Sequence, residues 1–230
     1  MLSAYINVTK PRMVLGNAIV AAAAFVFASP AEFNWPGFVY MFAGIWLIMS
    51  SACAVNNYYD RDIDARMSRT RTRALPAGRI VPTHALAIGA VTVTVGSVLL
   101  NLVSPLAMWI GLVGWIFYAL IYTPMKHRTG LALYAGAVAG AIPPVVGYAA
   151  AAGRLDIWAG LLFAVLYLWQ LPHFIAIAYF RYEEYTAAGV PLLVSRPGEN
   201  RRKQARKVFY LSLVVLLLFS LALILHRWIR

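Results

Sequence analysis

Asn56-Asn57-Tyr58-Tyr59-Asp60-Arg61-Asp62-Ile63-Asp64 ends a long apolar run and carries three of the eight acids in this 230-residue chain. On a helix, Asn56, Asp60 and Asp64 fall at i, i+4 and i+8 and share one face, while Asp62 points the other way. Five arginines follow at once: Arg66, Arg69, Arg71, Arg73 and Arg79. An amide and two carboxylates on one stripe are hard oxygen ligands, and guanidinium groups are planar, bidentate partners for phosphate. The pattern points to Mg²⁺ and a diphosphate at the mouth of a membrane helix. Asn56, Asp60 and Asp64 are then the metal-binding and catalytic candidates, with Arg69, Arg71 and Arg73 on the phosphates. Solvated acids flanking a membrane are the plainer alternative, but unrelated loop acids have no reason to share a stripe with an Asn.

Working outward, the composition is that of a membrane protein. Hydrophobic residues make up 62% of the chain and charged residues 12%, and the mean hydropathy is +0.71. Runs long enough to cross about 30 Å of hydrocarbon recur near 13–29, 37–55, 84–101, 106–123, 131–151, 157–178 and 208–225. The first run lacks the charged start, short core and cleavage site of a signal peptide, and is expected to stay in the chain.

The net charge of +12 is explained by topology. With the N-terminus in the cytoplasm, 17 of the 20 basic residues face inward, leaving Arg154, Arg227 and Arg230 outside. That asymmetry follows the positive-inside rule and removes any need for a nucleic-acid partner. The single Cys53 excludes a disulfide or a cysteine metal cluster. Outward connections are short, inward ones long and basic, so the chemistry is expected on the inward side.

Further candidates lie along the same side. The inward loop Thr123-Pro124-Met125-Lys126-His127-Arg128 offers Lys126 and Arg128 to phosphate. Glu183 and Glu184 form a second acidic stretch beside Arg181, and adjacent residues on a helix cannot both face one site. Two inward acid-and-arginine segments after even-numbered spans suggest an old duplication with a site between halves. The fifth run holds Gly136, Gly140, Pro143, Pro144 and Gly147, which allow close helix approach and should kink or break the helix. The sixth holds Trp169, Gln170 and His173, polar groups that inside an apolar run face a cavity or a partner. His84, His127 and His226 read as interfacial. No catalytic base stands out, as suits a reaction limited by ionisation of an allylic diphosphate.

These residues resemble the UbiA-type intramembrane prenyltransferases. Asn56-x3-Asp60-x3-Asp64 is similar to their first aspartate motif, and Thr9-Lys10-Pro11-Arg12 and Gly140 to Tyr148 extend the match. Leu168-Trp169-Gln170-Leu171-Pro172-His173-Phe174, Phe180 to Tyr185 and Ala188-Gly189-Val190-Pro191 resemble the branch that farnesylates haem. The resemblance covers about residues 5–193 of a single domain, 1–230. It implies an all-α bundle of membrane helices around a central cavity open to the cytoplasmic face of the cell (inner) membrane.

By carry-over, Asn56, Asp60 and Asp64 hold Mg²⁺ against farnesyl diphosphate, with Arg71, Arg73, Lys126 and Arg128 on its phosphates and Arg181 nearby. Haem B is the implied acceptor, with His173, Trp169 and Gln170 as its contacts, and haem O is the implied product, for terminal oxidase assembly. Another aromatic acceptor, such as a quinone precursor, or a non-catalytic haem or prenyl-diphosphate binder are the other readings. Glu183-Glu184 stand where other branches have spaced aspartates. After Leu193 the chain runs quickly to one last span, so about seven spans are expected against the family's nine. A wall short of two helices is expected to leave a gap, filled by lipid or a second subunit.

Overall fold

The computed structural model describes residues 2–229, so Arg230, counted above with the outward-facing basic residues, lies outside the described residues. Those residues form helices and loops and no strand. A short α1 (Leu2–Val8) precedes α2 (Pro11–Ala28), α3 (Trp35–Asp64), α4 (Pro82–Val103) and α5 (Pro105–Ile116). A π-helical segment (Phe117–Tyr122) joins α5 to α6 (Thr123–Lys126). α7 (Ala132–Ala152), α8 (Ile157–Phe180), α9 (Tyr182–Ala187) and α10 (Glu199–Ile229) complete the chain. Seven helical stretches are long and apolar enough to cross a membrane, with α5, the π segment and α6 acting as one.

The helix starts follow from local chemistry. Proline stands in the first turn of α2, α3, α4 and α5, where a missing N–H costs nothing. Side chains of Asn34, Ser104 and Asp156 accept from the backbone N–H of Gly37, Ala107 and Trp158, capping α3, α5 and α8. Gly153, at φ 69°, ends α7 in the left-handed conformation that costs glycine least. The Pro143-Pro144 pair neither breaks nor ends α7, which runs on as one helix.

α3 decides where the acidic stripe sits. Its 30 residues span about 45 Å at 1.5 Å per residue, well over the hydrocarbon thickness. The expected span 37–55 therefore continues for more than two turns, carrying Asp60 and Asp64 into the polar zone without leaving the helix.

Small residues bring the helices together. A Cβ on Gly96 would stand 2.8 Å from the Gly44 carbonyl oxygen, so α3 and α4 touch backbone to backbone. Gly147 lies in the same way on the Ala21 carbonyl, joining α7 to α2. Phe25, Met41, Ile45, Ala107 and Val146 pack into a core at the end of the bundle away from the acidic stripe.

The gap expected in the wall is closed. α10 packs against both α8 and α2. Trp169 Nε1 donates to the Ser212 carbonyl (2.9 Å), Phe180 and Phe209 meet edge to face, and Arg227 donates to the carbonyls of Ser29 and Ala31. One long helix thus spans the opening, which its many outward apolar side chains (Leu211, Leu217, Leu218) leave facing lipid.

Candidate functional site

The acidic stripe forms as read. Asn56, Asp60 and Asp64 are 1%, 2% and 3% exposed, whereas Asp62 is exposed on the opposite face and pairs only with Arg61. Burying two carboxylates demands partners, and each has them. Asp64 Oδ2 accepts from Arg73 Nη1 at 2.7 Å. Asp60 takes Lys126 Nζ at 2.5 Å on one oxygen and His127 Nε2 at 2.9 Å on the other. Asn56 accepts from Lys10 Nζ and donates to Thr123 Oγ1 at 3.0 Å.

Three elements therefore converge on α3. Lys10, in the turn between α1 and α2, has a backbone φ of 50°, a conformation that costs a non-glycine residue and that directs its chain toward the stripe. Burial pushes its amino group down from the usual lysine range. The loop after α3 returns Arg73. The π segment widens the helix just before Pro124, whose ring cannot sit under the carbonyl four residues earlier. It sets Tyr118 and Tyr122 into the cavity and lets Thr123 Oγ1 donate to the Tyr118 carbonyl at 2.8 Å.

Asn56, Asp60 and Asp64 line a polar mouth of about 790 Å³ together with Lys10, Arg12, Arg69, Arg73, Lys126 and Tyr185. Five basic side chains face two acids there. Arg12, Met13 and Tyr118 also line a second, apolar cavity of about 390 Å³ that continues into the bundle. Its walls come from α2, α3, α5, α7, α8 and α10 and include Ile48, Cys53, Gly140, Leu166 and Leu216. A polar, cation-rich mouth thus adjoins an apolar shaft across a shared wall. Two carboxylates and an amide oxygen facing that mouth suit a hard divalent cation such as Mg²⁺, which needs few protein ligands beside water and phosphate.

The other candidates divide. Arg69, Arg73 and Lys126 line the mouth, whereas Arg71 and Arg128 are exposed and do not line it. Glu184 Oε2 lies 3.6 Å from Arg69 Nε and 3.4 Å from Arg181 Nη1, holding both arginines rather than facing the stripe. Glu183 points outward to Arg202 and Arg196, the first of which holds its carboxyl below the usual range. The second acidic stretch is thus a brace for α9 and the start of α10, and Arg181 belongs to that brace. Trp169, Gln170 and His173 all line the apolar cavity, and Gln170 donates to the Leu166 carbonyl at 3.0 Å.

Lys10, Arg12, His127, Thr123 and Tyr185 were not singled out as site residues by the sequence reading. His127, taken as interfacial, instead hydrogen-bonds Asp60. The tight basic loop that pointed to Lys126 was a usable signal for His127, and Thr9-Lys10-Pro11-Arg12 for Lys10 and Arg12. Burial pushes the Tyr185 phenol up and keeps it a neutral donor at the mouth.

Comparisons with known proteins place the fold. The model of the UbiA prenyltransferase family matches residues 17–229. A protoheme IX farnesyltransferase from Citrobacter koseri is 38% identical over 217 residues, 94% of this chain and 73% of that protein. One from Escherichia coli K12 is 37% identical over the same shares. Among solved structures, a UbiA homolog from Archaeoglobus fulgidus bound to GPP and Mg²⁺ superposes with a TM-score of 0.75 at 16% identity, covering 98% of this chain and 85% of that one. The apo UbiA homolog from Aeropyrum pernix gives 0.70 at 19% identity, over 89% and 76%. Stripe, mouth and shaft therefore sit on a known scaffold, and the chain belongs to the UbiA prenyltransferase family.

Proposed function

We propose that this chain transfers a farnesyl group from farnesyl diphosphate to a vinyl group of protohaem IX, giving haem O. The observation that carries the reading is the adjacency of the cation-rich mouth and the apolar shaft, which share Arg12, Met13 and Tyr118, an arrangement matched to a diphosphate head on a hydrocarbon tail. Relatives at 37–38% identity bear the name protoheme IX farnesyltransferase, which supports haem as acceptor.

Each residue class has a role that follows from its place. Arg73, Lys126, Arg69, Lys10 and Arg12 surround the diphosphate, and their excess over Asp60 and Asp64 offsets its charge as the C1–O bond breaks. Asn56, Asp60 and Asp64 would hold Mg²⁺, which would supply further charge neutralisation beside the phosphates. The farnesyl tail lies in the shaft. At about 0.8 kcal/mol per buried methylene-sized unit, fifteen carbons offer roughly 10 kcal/mol of gross binding. Both electrons of the broken C1–O bond leave with diphosphate. The vinyl π pair forms the new C–C bond, and water captures the resulting cation and loses one proton. Aromatic faces of Tyr118 and Trp115 in the cavity wall favour the allylic cation meanwhile.

By the positive-inside rule the mouth opens to the cytoplasm, and by similarity the membrane is the cell (inner) membrane. Mass spectrometry of membranes holding this chain, given haem B, farnesyl diphosphate and Mg²⁺, tests the reading. A hydroxyethylfarnesyl haem that disappears in Asp64→Asn is expected. Prenylation of a hydroxyaryl acid instead of haem would move the acceptor to a quinone precursor. Haem binding without any product would make the chain a binder.

A further inference from the structure

α10 brings one polar group to the wall of the apolar cavity, and its hydrogen bonds have a direction. Ser212 Oγ lies 2.6 Å from the Phe209 carbonyl oxygen, an atom that can only accept, so the single hydroxyl proton is spent there. His173 Nδ1 lies 2.7 Å from the same Oγ. The proton between them must therefore come from the ring. His173 is then the Nδ1–H tautomer, and its Nε2 keeps a lone pair.

The ring cannot easily turn away from this arrangement. Trp169 stacks against it (centroids 5.3 Å, 21° between planes), and so does Phe209 (4.8 Å, 30°). Trp169 is itself held by its Nε1–H to the Ser212 carbonyl. Two aromatic rings and Ser212 thus hold the imidazole, and among the described residues no acidic side chain pairs with it. Among the described residues Nε2 has no hydrogen-bond partner, and it is not among the fully buried unpartnered atoms as His226 Nε2 is. His173 lines the cavity with Trp169 and Leu213.

We propose that Ser212 is a positioning residue that fixes the His173 tautomer and presents Nε2 to the cavity as an axial ligand for the iron of a metalloporphyrin. A neutral imidazole whose other nitrogen donates to a fixed acceptor is the usual form of a histidine metal ligand. The inference rests on the haem reading and deepens it: the acceptor is held by its metal, which fixes the distance of its periphery from the mouth. It also gives α10, the helix that closes the wall, a part in acceptor binding.

The test uses the full-length chain in detergent, titrated with ferric haem B and, separately, with metal-free protoporphyrin IX. The wild type should show a nitrogen-ligated Soret band, and His173→Ala should lose it and regain it with added imidazole. Ser212→Ala should weaken haem binding about tenfold or more and lower the ferrous iron–imidazole stretching frequency, as loss of a ligand's hydrogen-bond partner does. Ser212→Thr, which keeps the hydroxyl, should restore both. Metal-free protoporphyrin should bind all variants alike, which separates lost ligation from misfolding. A nitrogen-ligated spectrum that survives in His173→Ala, or a Ser212→Ala spectrum and affinity equal to wild type, overturns the inference and leaves the haem reading standing. Failure of the wild type to bind either porphyrin overturns both.

Discussion

Asp60 receives Lys126 and His127, and Asp64 receives Arg73, so these carboxylates are matched to particular partners and not to a diffuse basic surface. The basic residues accordingly sort into two classes that charge counting alone would merge. Arg73 and Lys126 reach the mouth, and Arg71 and Arg128 lie outside it on the same loops. A charge-assisted contact is worth about 1.5–3 kcal/mol, roughly ten- to a hundredfold in affinity. Arg73→Ala and Lys126→Ala should each weaken farnesyl diphosphate binding by at least about tenfold, while Arg71→Ala and Arg128→Ala change it by less than about threefold. Calorimetric titration of the purified variants checks this. Equal losses in Arg71→Ala and Arg73→Ala would mean that the phosphates lie elsewhere. The acidic stripe was legible because a 3.6-residue period makes i, i+4 and i+8 neighbours whatever the rest of the chain does. Lys10 was less so: Thr9-Lys10-Pro11-Arg12 marks the segment, but the contact with Asn56 spans 46 positions and runs through a left-handed backbone turn that the segment does not announce.

Among the helices, α7 and its contact with α2 set the cavity's width. A Cβ at Gly147 would overlap the Ala21 carbonyl oxygen and stand 2.8 Å from its carbon, and backbone atoms cannot rotate aside as a side chain can. Gly147→Ala should therefore push α2 from α7 and cost about 1–3 kcal/mol. Gly160→Ala, where no atom lies within 4 Å, should be neutral or slightly stabilising. Thermal inactivation in detergent distinguishes the two, and a Gly147→Ala protein as stable as wild type would show that the contact is loose. The small-residue spacing predicted close approach, which occurs. It gave no hint that the Pro143-Pro144 pair would stay inside a continuous helix. Proline removes bonds to residues in the preceding turn only, and neighbouring helices on both sides of α7 hold the rest of its course.

Across the whole molecule, basic residues collect at the end of the bundle where the mouth opens. Single cysteines placed at Arg66, Thr129 and Arg201 should react with a membrane-impermeant thiol reagent from one side, and one at Leu155 from the other. Labelling of Arg66 and Leu155 positions from the same side would overturn the topology. Cys53 is buried and should contribute little background. Seven spans could be counted in advance because hydrocarbon thickness imposes a minimum apolar length. Where α10 would lie could not, since lipid-facing and bundle-facing surfaces are both apolar. Its hydropathy is high all round although few of its residues are buried, so no stripe marks the side that meets α8 and α2.

The pairing of Asn56, Asp60 and Asp64 with Lys10, Lys126 and Arg73 has one more consequence. A divalent ion arriving at those oxygens must evict the cations that hold them, and the evicted cations need an anion. A diphosphate arriving first finds the same cations already spoken for. Each guest thus lowers the free energy needed to admit the other, and by linkage the effect is mutual. The dissociation constant for Mg²⁺ should fall by roughly five- to a hundredfold when farnesyl diphosphate is present, and the reverse by the same factor. Titrating each with and without the other measures the shared factor, and absent coupling would show that the mouth does not work as an exchanger of counter-ions.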